Sequence, residues 1–439
     1  MDRIGVGRGP DLTPKPEWPT AGVCLLAVTG FGLSAQVGVL IPLAGALLGI
    51  AGLSLGLLDS SAFESRWRVT GLIGLALFAA VWIGDPTYTF FPSPPTALVL
   101  GLMVVPFITG IGIVLRPPSL RSLSVWVWTS IILVALLGAI VIRATGGEGI
   151  DVMFLHRQAA AAITAGESPY GPAVDVPNGS PYAEPGERIV GYPYPPITLL
   201  AFSLGEWLLG DPRWTAWAAA AVVLAVLTAR ALRTRDHKVI AIAVFLALVP
   251  GWPLMMQTGW TEVVGIALLV GSAVLWKRPL VSSVLLGLAF ASKQYFAVAI
   301  PFLLFHPMTK GRRSLIAVGV AAMTLVPAFL LDPPGAWQAM VVFHANSAPR
   351  LDSSNLVGLL ASFDRVVDVP LVVTVLAPIG VAWGLILRTT GIGGFYAGLG
   401  LVFSTFFLLT TQTFANYWLL IAGLCAIAAA SQSDGNAAN

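Results

Sequence analysis

The chain alternates long apolar runs with short polar segments, and this pattern predicts helices that cross a membrane. A membrane-spanning helix needs about 20 mostly apolar residues. The runs lack the apolar/polar alternation of a membrane β-barrel, so they indicate an all-α polytopic membrane protein of about 12–14 transmembrane helices. The candidate spans are 21–38, 40–58, 69–84, 96–115, 123–142, 214–232, 239–256, 261–276, 280–305, 314–331, 369–387, 391–410 and 413–430.

Two apolar runs do not fit a simple count of spans. The run from Ile197 to Leu209 is short and ends at Gly210, which favours a half-membrane or interfacial helix. The run 280–305 has basic loops on both sides, so one crossing would violate the orientation that the other loops require. Two short helices that meet near Lys293 would resolve the conflict.

Lysine and arginine in short loops predict which ends of the spans face the cytoplasm. With those loops and both termini inside, the segments 143–195 and 332–368 and the turn Gln412–Tyr417 lie on the outer face. Loops as long as the first two are usually functional rather than simple connectors.

Composition supports the membrane assignment and narrows the class of function. Hydrophobic residues make up 56% of the chain and charged residues 10%, against about 25% charged in soluble domains. The net charge of +3 is spread over short loops, which argues against nucleic-acid binding. Cys24 and Cys425 lie in apolar runs and suit packing better than a disulfide. The sequence contains no Walker loop, HExxH or GxSxG motif, so an ATP-driven pump or a zinc protease is disfavoured.

Asp151 opens the longest polar stretch and is the leading candidate for chemistry. Its carboxylate could act as a general base toward a hydroxyl nucleophile. It could also cap the following helix, which is the commoner role of an aspartate at that position. Val152, Leu155, Ala159 and Ile163 share one face at helical spacing, which predicts an amphipathic interfacial helix over 152–165.

Other polar residues near the predicted outer face have two interpretations each. Tyr192 and Tyr194, in a proline-rich segment, could anchor to lipid headgroups or wall a sugar pocket. Lys293 could pair with a lipid-linked phosphate or extend its ammonium group to the interface. Gln257 and Glu262 could hydrogen-bond substrate or cap a helix.

The second polar segment adds two cationic candidates. His344 and Arg350 could bind phosphate, although a solvated loop is the ordinary interpretation of such residues. Arginine suits phosphate because its guanidinium donates two parallel hydrogen bonds.

The order of these motifs resembles that of the GT-C membrane glycosyltransferases. The sequence has Asp151, then SPY at 168–170, then YPYPP at 192–196, followed by MMQTGWTE, ASKQYFAVAIP and RLDSSNLVGLL. It looks most like glycosyltransferase family 87, the actinobacterial mannosyltransferases that use polyprenyl-phosphate-mannose. The lumenal mannosyltransferases of GPI-anchor synthesis have a similar order of elements. The resemblance covers about 123–430, with a long insert at 174–189 before YPYPP.

The resemblance implies roles for individual residues. Asp151 would be the catalytic base, and Lys293 would bind the donor phosphate together with Arg350 and His344. Tyr170, Tyr192, Tyr194, Gln257, Glu262 and Asn355 would contact substrate. Four extra spans in 21–122 would precede a GT-C-like catalytic domain at 123–430, with a cytoplasmic tail at 1–20 and another at 431–439.

We therefore expect a glycosyltransferase in the bacterial cytoplasmic membrane with its active site on the outer face. A sugar, most simply mannose, would pass from a polyprenyl phosphate to a hydroxyl of a glycolipid or glycan, with inversion. A lipid phosphate carries less charge than a nucleotide diphosphate, so we expect no cofactor and no metal. The alternatives are a secondary transporter or lipid flippase that uses Lys293, Asp151 and Glu262 as ion or substrate contacts, and a non-catalytic partner in an envelope complex.

Overall fold

The computed structural model is helical over nearly all of the chain that it describes. It describes residues 21–34, 40–56, 66–84, 96–116, 119–145, 151–171, 173–175, 188–346, 353–361, 363 and 369–431. The predicted tail 1–20 lies outside these residues, as do Arg350 and most of the insert 174–189. Of the predicted tail 431–439, only Ser431 is described, and it is the last residue of a helix.

The first half of the chain holds an N-terminal group of helices, the helix that starts at Asp151, and a pair that follows the proline-rich segment. Their bounds are α1 Ala21–Ser34, α2 Leu40–Gly56, α3 Trp67–Gly84, α4 Thr96–Leu115, α5 Leu120–Ala144, α6 Asp151–Ala165, α7 Pro196–Leu209 and α8 Arg213–Thr234. Between α6 and α7 the strands β1 (Ala173–Asp175) and β2 (Arg188–Val190) pair antiparallel. The sequence pattern did not predict this hairpin, because three-residue strands show almost no periodicity.

The second half contains shorter and more broken helices. Their bounds are α9 His237–Leu248, α10 Gly251–Thr258, α11 Glu262–Val274, α12 Pro279–Phe290, a 3₁₀ segment Gln294–Ala299, α13 Ile300–Phe305, α14 Arg312–Leu331, α15 Pro333–Trp337, a π-helical turn Gln338–Val342, α16 Phe343–Ala345, α17 Leu356–Ala361, α18 Leu371–Ile386, α19 Gly391–Leu409 and α20 Ala415–Ser431.

Several helices are long and apolar enough to cross a membrane unaided. Five described helices meet that condition, namely α4, α5, α8, α14 and α19, and the bent pair α9–α10 makes a sixth. Other apolar helices, α20 among them, are only 10–17 residues long. The all-α polytopic fold is confirmed, and the predicted total of about 12–14 spans requires the shorter helices to cross as well.

Two breaks in the helices are important for the site. The run predicted as one span at 239–256 bends by 50° between α9 and α10. Pro250 lies at this break and has no N–H to continue the α9 hydrogen-bond ladder. The run 280–305 divides into α12 and the 3₁₀ segment on either side of Lys293, as the loop charges predicted.

The N-terminal helices pack into the same core as the rest of the bundle. Phe31 of α1 stacks on Trp418 of α20 with ring centroids 5.9 Å apart. The Trp82 indole of α3 donates a hydrogen bond of 2.9 Å to the Leu248 carbonyl at the end of α9. Cys24 and Cys425 are buried and form no disulfide, in agreement with the packing role predicted for them. Helix α1 therefore packs against α20, and α3 against the end of α9.

Candidate active site

Asp151 is the first residue of α6, and its carboxylate faces the start of the helix. The backbone N–H of Val152 donates a 2.8 Å hydrogen bond to Asp151 Oδ1. Asp151 is only partly buried, while Val152, Leu155 and Ala159 on the same helix are buried. The predicted amphipathic helix is confirmed and ends at Gly166, whose φ of 74° suits glycine. A helix-terminal carboxylate of this kind can be held in place and still be reached by a substrate.

The segment Tyr192–Pro196 connects α6 to the later half of the chain. Tyr192 donates from its hydroxyl to His156 Nδ1 at 3.0 Å. The Pro193 carbonyl accepts hydrogen bonds from Gln294 Nε2 at 3.1 Å and from His344 Nε2 at 3.0 Å. The proline-rich segment, α16 and the turn after Lys293 are thus fixed to one another.

A close backbone contact sets the position of this segment. Tyr192 N–H donates to the Pro169 carbonyl at 2.8 Å, and the Tyr170 hydroxyl donates to the Tyr194 carbonyl at 3.3 Å. Gly191 has a φ of 51°, and a Cβ there would lie 2.5 Å from the Tyr170 carbonyl oxygen. Only glycine permits both the conformation and the approach. The SPY and YPYPP motifs are therefore parts of one packed unit.

His156 is a neutral hydrogen-bonding residue in this unit. It is 1% exposed and its ring stacks on Phe202 with centroids 3.9 Å apart. Burial lowers the pKa of His156 to about 3, and the positive charge of Lys293 lowers it further against the opposing effect of the Gly259 carbonyl. Since a carbonyl can only accept, Nε2–H donates to Gly259 at 3.2 Å and Nδ1 accepts from Tyr192.

We predict that this burial makes the fold sensitive to acid. The pKa of His156 is about 3 in the folded protein, against about 6.5 in an unfolded chain. Above pH 6.5 the histidine is neutral in both states, and below pH 6.5 the unfolded state binds a proton that the folded state does not, so the folded protein loses stability as the pH falls. The expected loss at pH 5 is about 2 kcal/mol from His156 alone. The apparent Tm in detergent should fall between pH 7.5 and pH 5, and the fall should be smaller in His156→Gln, which keeps polar contacts without titrating. Equal slopes in both proteins would contradict this.

A buried ion pair forms the centre of the site. Lys293 Nζ lies 2.8 Å from Glu262 Oε1, and the two side chains are 6% and 0% exposed. Glu262 Oε2 accepts a short hydrogen bond from Asn416 Nδ2. Lys293 has extended backbone, with φ −149° and ψ 142°, because it occupies the break before the 3₁₀ segment. The Thr198 hydroxyl donates to the Ser292 carbonyl, which fixes α7 beside the break.

Three tyrosine rings surround the lysine ammonium group. Lys293 Nζ is 4.3 Å from the ring centre of Tyr194, 5.4 Å from that of Tyr417 and 5.9 Å from that of Tyr295. Aromatic rings stabilise a cation at these distances through their quadrupole. The cation is thus held by one carboxylate and three rings.

Tyr194 lies against Lys293 and feels the charge of Asp151. Burial raises the pKa of Tyr194 well above its usual range, and the nearby Asp151, Tyr417 and Glu262 raise it further. The Tyr194 hydroxyl is therefore protonated and lies within electrostatic range of both carboxylates. The two carboxylates differ in exposure. Glu262 is 1% exposed and has a protein partner on each oxygen, whereas Asp151 is only partly buried.

The second polar segment closes over the same region. Ser168 donates from its hydroxyl to Asp332 Oδ2 at 2.8 Å, and the Gly335 N–H donates to Asp332 Oδ1 at 3.0 Å. Burial lowers the pKa of His344 to about 4, with the Lys293 charge contributing in the same direction. A neutral His344 has one N–H, which it donates to the Pro193 carbonyl, so it would have to release that bond to donate to a phosphate; its phosphate role stays a prediction. Arg350 lies outside the described residues.

Two other predicted site residues have different surroundings. Gln257 is buried on α10, two residues before the Gly259 that binds His156. Asn355 caps α17 by accepting from the Gly358 N–H at 2.8 Å, and its amide donates to the Thr410 carbonyl at 2.6 Å. These bonds tie 353–361 to the turn before α20, and substrate contacts for both residues stay predictions.

A match to a family model covers half of the chain. The model for glycosyltransferase family 87 matches residues 192–411. The chain belongs to glycosyltransferase family 87. No curated protein and no solved structure matches it significantly.

As a family 87 member, the protein is a membrane glycosyltransferase, which favours the enzyme over the transporter and scaffold alternatives. The matched region contains Tyr192, Tyr194, Glu262 and Lys293. Asp151 precedes it, and Asn416 follows it. In the part of the glycosyltransferase that the structure describes, no three His, Cys, Asp or Glu side chains converge as a metal site would require.

Sequence reasoning missed several residues of this glycosyltransferase site. Asn416, Tyr417 and Tyr295 complete the surroundings of Lys293, and His156 supports Tyr192. The sequence does contain an indication for Asn416, because it is a lone amide at the start of an apolar helix that begins at a predicted outer turn. His156 had none, since one histidine on an amphipathic helix is equally consistent with a solvated face.

Proposed function

We propose that this protein transfers a sugar from a polyprenyl-phosphate donor to an acceptor hydroxyl, with inversion and with Asp151 as the general base. Mannose is the proposed sugar, on the resemblance of the motifs to the polyprenyl-phosphate-mannose-dependent enzymes. The acceptor is a hydroxyl of a glycolipid or glycan. The observation that carries the proposal is the buried Lys293–Glu262 pair beside the Tyr194 ring, with Asp151 near enough to raise the pKa of Tyr194.

The different environments of the two carboxylates support Asp151 as the base. Glu262 has one oxygen on Lys293 and the other on Asn416, so it could accept a proton only by losing one of them. Asp151 is partly exposed and is held at a helix start, where the positive end of the helix dipole favours the ionised form. A general base must be both ionised and accessible to the hydroxyl it deprotonates.

The reaction is a single displacement. Asp151 takes the proton of the acceptor hydroxyl as its oxygen forms a bond to the anomeric carbon. The bond from that carbon to the phosphate oxygen breaks, and polyprenyl phosphate leaves with the electron pair. Lys293 stabilises the charge that develops on the leaving phosphate. Attack from the face opposite the leaving group inverts the anomeric configuration.

A series of tyrosine rings that begins beside Lys293 suits a sugar next to a charged group. Tyr192 contacts Tyr194 and Tyr170 edge-to-face, with ring centroids 5.3 Å and 6.4 Å away respectively. Aromatic faces pack against the apolar faces of sugar rings, and protonated hydroxyls can donate to sugar oxygens. We propose that Tyr194, whose ring contacts Lys293 and whose pKa is raised by the nearby Asp151, lines the donor sugar.

The positions of the basic residues support a site on the outer face. Arg313 stacks on Trp276 at 4.5 Å, just past the end of α11, and Arg230 Nε donates to the Ala430 carbonyl at the end of α20. Glu262 and Asn416 lie at the opposite ends of these two helices. The 13 residues of α11 span about 20 Å. Cytoplasmic arginines at one end would therefore leave the site at the outer membrane surface.

Transfer in proteoliposomes tests this function. The purified protein is supplied with polyprenyl-phosphate-[¹⁴C]mannose and a membrane-lipid extract, and the products are separated by chromatography. Parallel reactions receive GDP-[¹⁴C]mannose without a lipid donor, or a polyprenyl-phosphate-glucose of the same chain length. We expect label in a new glycolipid or glycan with the lipid-linked mannose alone.

Each alternative result removes a specific part of the proposal. Transfer from GDP-mannose would overturn the lipid-linked donor. Preference for the glucose donor would overturn mannose but leave the reaction class intact. Lipid donor that crosses the bilayer unchanged, with no labelled product from any acceptor fraction, would overturn transfer in favour of a flippase.

A further inference from the structure

Glu262 was predicted as a substrate contact, and its surroundings indicate another role. Both of its carboxylate oxygens are occupied within the protein, by Lys293 Nζ at 2.8 Å and by the amide of Asn416. It is 1% exposed and is the first residue of α11. A substrate hydroxyl would have to displace one of these partners to reach it.

Lys293, in contrast, has donor capacity left over. An ammonium group has three N–H donors, and Glu262 Oε1 is its ion-pair partner at 2.8 Å. The neighbouring faces are tyrosine rings rather than further carboxylates. The carboxylate therefore fixes the direction of the ammonium and leaves its other donors on the side of the aromatic rings.

We propose that Glu262 and Asn416 are positioning residues that act on the donor through Lys293. Glu262 holds the ammonium group in place and compensates its charge during burial, and Asn416 orients Glu262. This inference rests on the proposed function, in which Lys293 binds the leaving phosphate. In this role Glu262 contacts Lys293 and Asn416 and does not touch the substrate.

The geometry explains why both positioning residues are required. Lys293 lies in a break between two helices, so the direction of its side chain is not set by a regular helix. Its partners therefore decide where the ammonium group lies, and a misplaced cation stabilises a leaving group poorly. Asn416 comes from α20 and Glu262 from α11, so the pair also connects the two helices at the height of the site.

A double-mutant cycle separates positioning from direct contact. We would measure kcat and KM for the lipid donor in Glu262→Gln, Lys293→Met and the double variant. If Glu262 acts through Lys293, Glu262→Gln should lower kcat roughly 30-fold with little change in KM, as expected for lost transition-state stabilisation. In the Lys293→Met background the same change should have an effect smaller than about threefold.

Asn416→Ala gives a milder version of the test in case Glu262→Gln does not fold. It keeps the ion pair and should lower kcat by about tenfold or less. That effect should also vanish in the Lys293→Met background. Ser272→Ala is the matched control, because Ser272 is a buried polar residue at the far end of α11, bonded to the Ser282 carbonyl at 2.9 Å. It should leave kcat and KM unchanged.

The outcomes also separate this inference from the proposed function. Effects of Glu262→Gln and Lys293→Met that multiply, or a rise in KM alone, would make Glu262 a direct substrate contact and overturn the inference while transfer stands. A wild-type protein that transfers no sugar from any lipid donor would overturn the proposed function, and the inference with it. Effects that are not additive and are confined to kcat support the positioning role.

Discussion

Replacing Asp151 with asparagine is expected to lower kcat for sugar transfer by about 10³-fold while leaving donor binding intact. General base catalysis contributes roughly 10²- to 10⁴-fold, and asparagine cannot accept the proton. Asparagine is also a good residue at a helix start, so the contact to the Val152 N–H can persist. The measurement is single-turnover transfer in proteoliposomes, with donor binding determined separately by equilibrium retention of labelled lipid.

Asp236→Asn is the control for this variant. Asp236 also caps a helix, accepting from the Lys238 N–H at 2.8 Å, but it lies at the basic end of the bundle. It should transfer sugar at the wild-type rate. If Asp151→Asn also kept more than about a tenth of the wild-type kcat, capping would be its whole role and another base would be needed.

The elements that the sequence predicted well are those with a long-range periodic signal or a simple charge argument. Helix α6 has a continuous apolar face, and Gly166 ends it, so its bounds were nearly right. The break at Lys293 followed from basic loops on both sides of one apolar run. These patterns are local, so they predict the elements without knowledge of tertiary packing.

The elements that the sequence did not predict depend on contacts between distant residues. Pro250 is one of several prolines in apolar runs, and nothing local distinguishes it from Pro106, which lies inside an intact helix α4. The pairing of Glu262 with Lys293 and Asn416 requires α11, α12 and α20 to meet at one height. Apolar residues on all sides of these helices leave no face that would predict their neighbours.

Asp151 illustrates a limit of a different kind. Motif order identified it, and the structure places it at a helix start, near enough to Tyr194 to raise the pKa of that tyrosine. Neither observation by itself separates a cap from a base, since the same geometry serves both. Only the transfer rate of the asparagine variant separates the two roles, because asparagine keeps the cap and loses the base.

Lys293→Met is expected to remove transfer and also to destabilise the protein. Loss of the cation leaves the Glu262 carboxylate buried without its partner, which costs about 3–5 kcal/mol in comparable buried pairs. Loss of leaving-group stabilisation should lower kcat by about 10²- to 10³-fold. Thermal unfolding in detergent measures the first effect and transfer in proteoliposomes the second. Lys277→Met is the control, since this lysine is exposed beyond the far end of α11.

The double variant Glu262→Gln/Lys293→Met separates the two consequences. It removes both charges, so the buried site is neutral again and most of the lost stability should return. Transfer should not return, because a methionine cannot stabilise the departing phosphate. Recovery of transfer together with stability would show that Lys293 serves the fold alone, and the leaving group would then need another cation, for which Arg350 is the remaining predicted candidate.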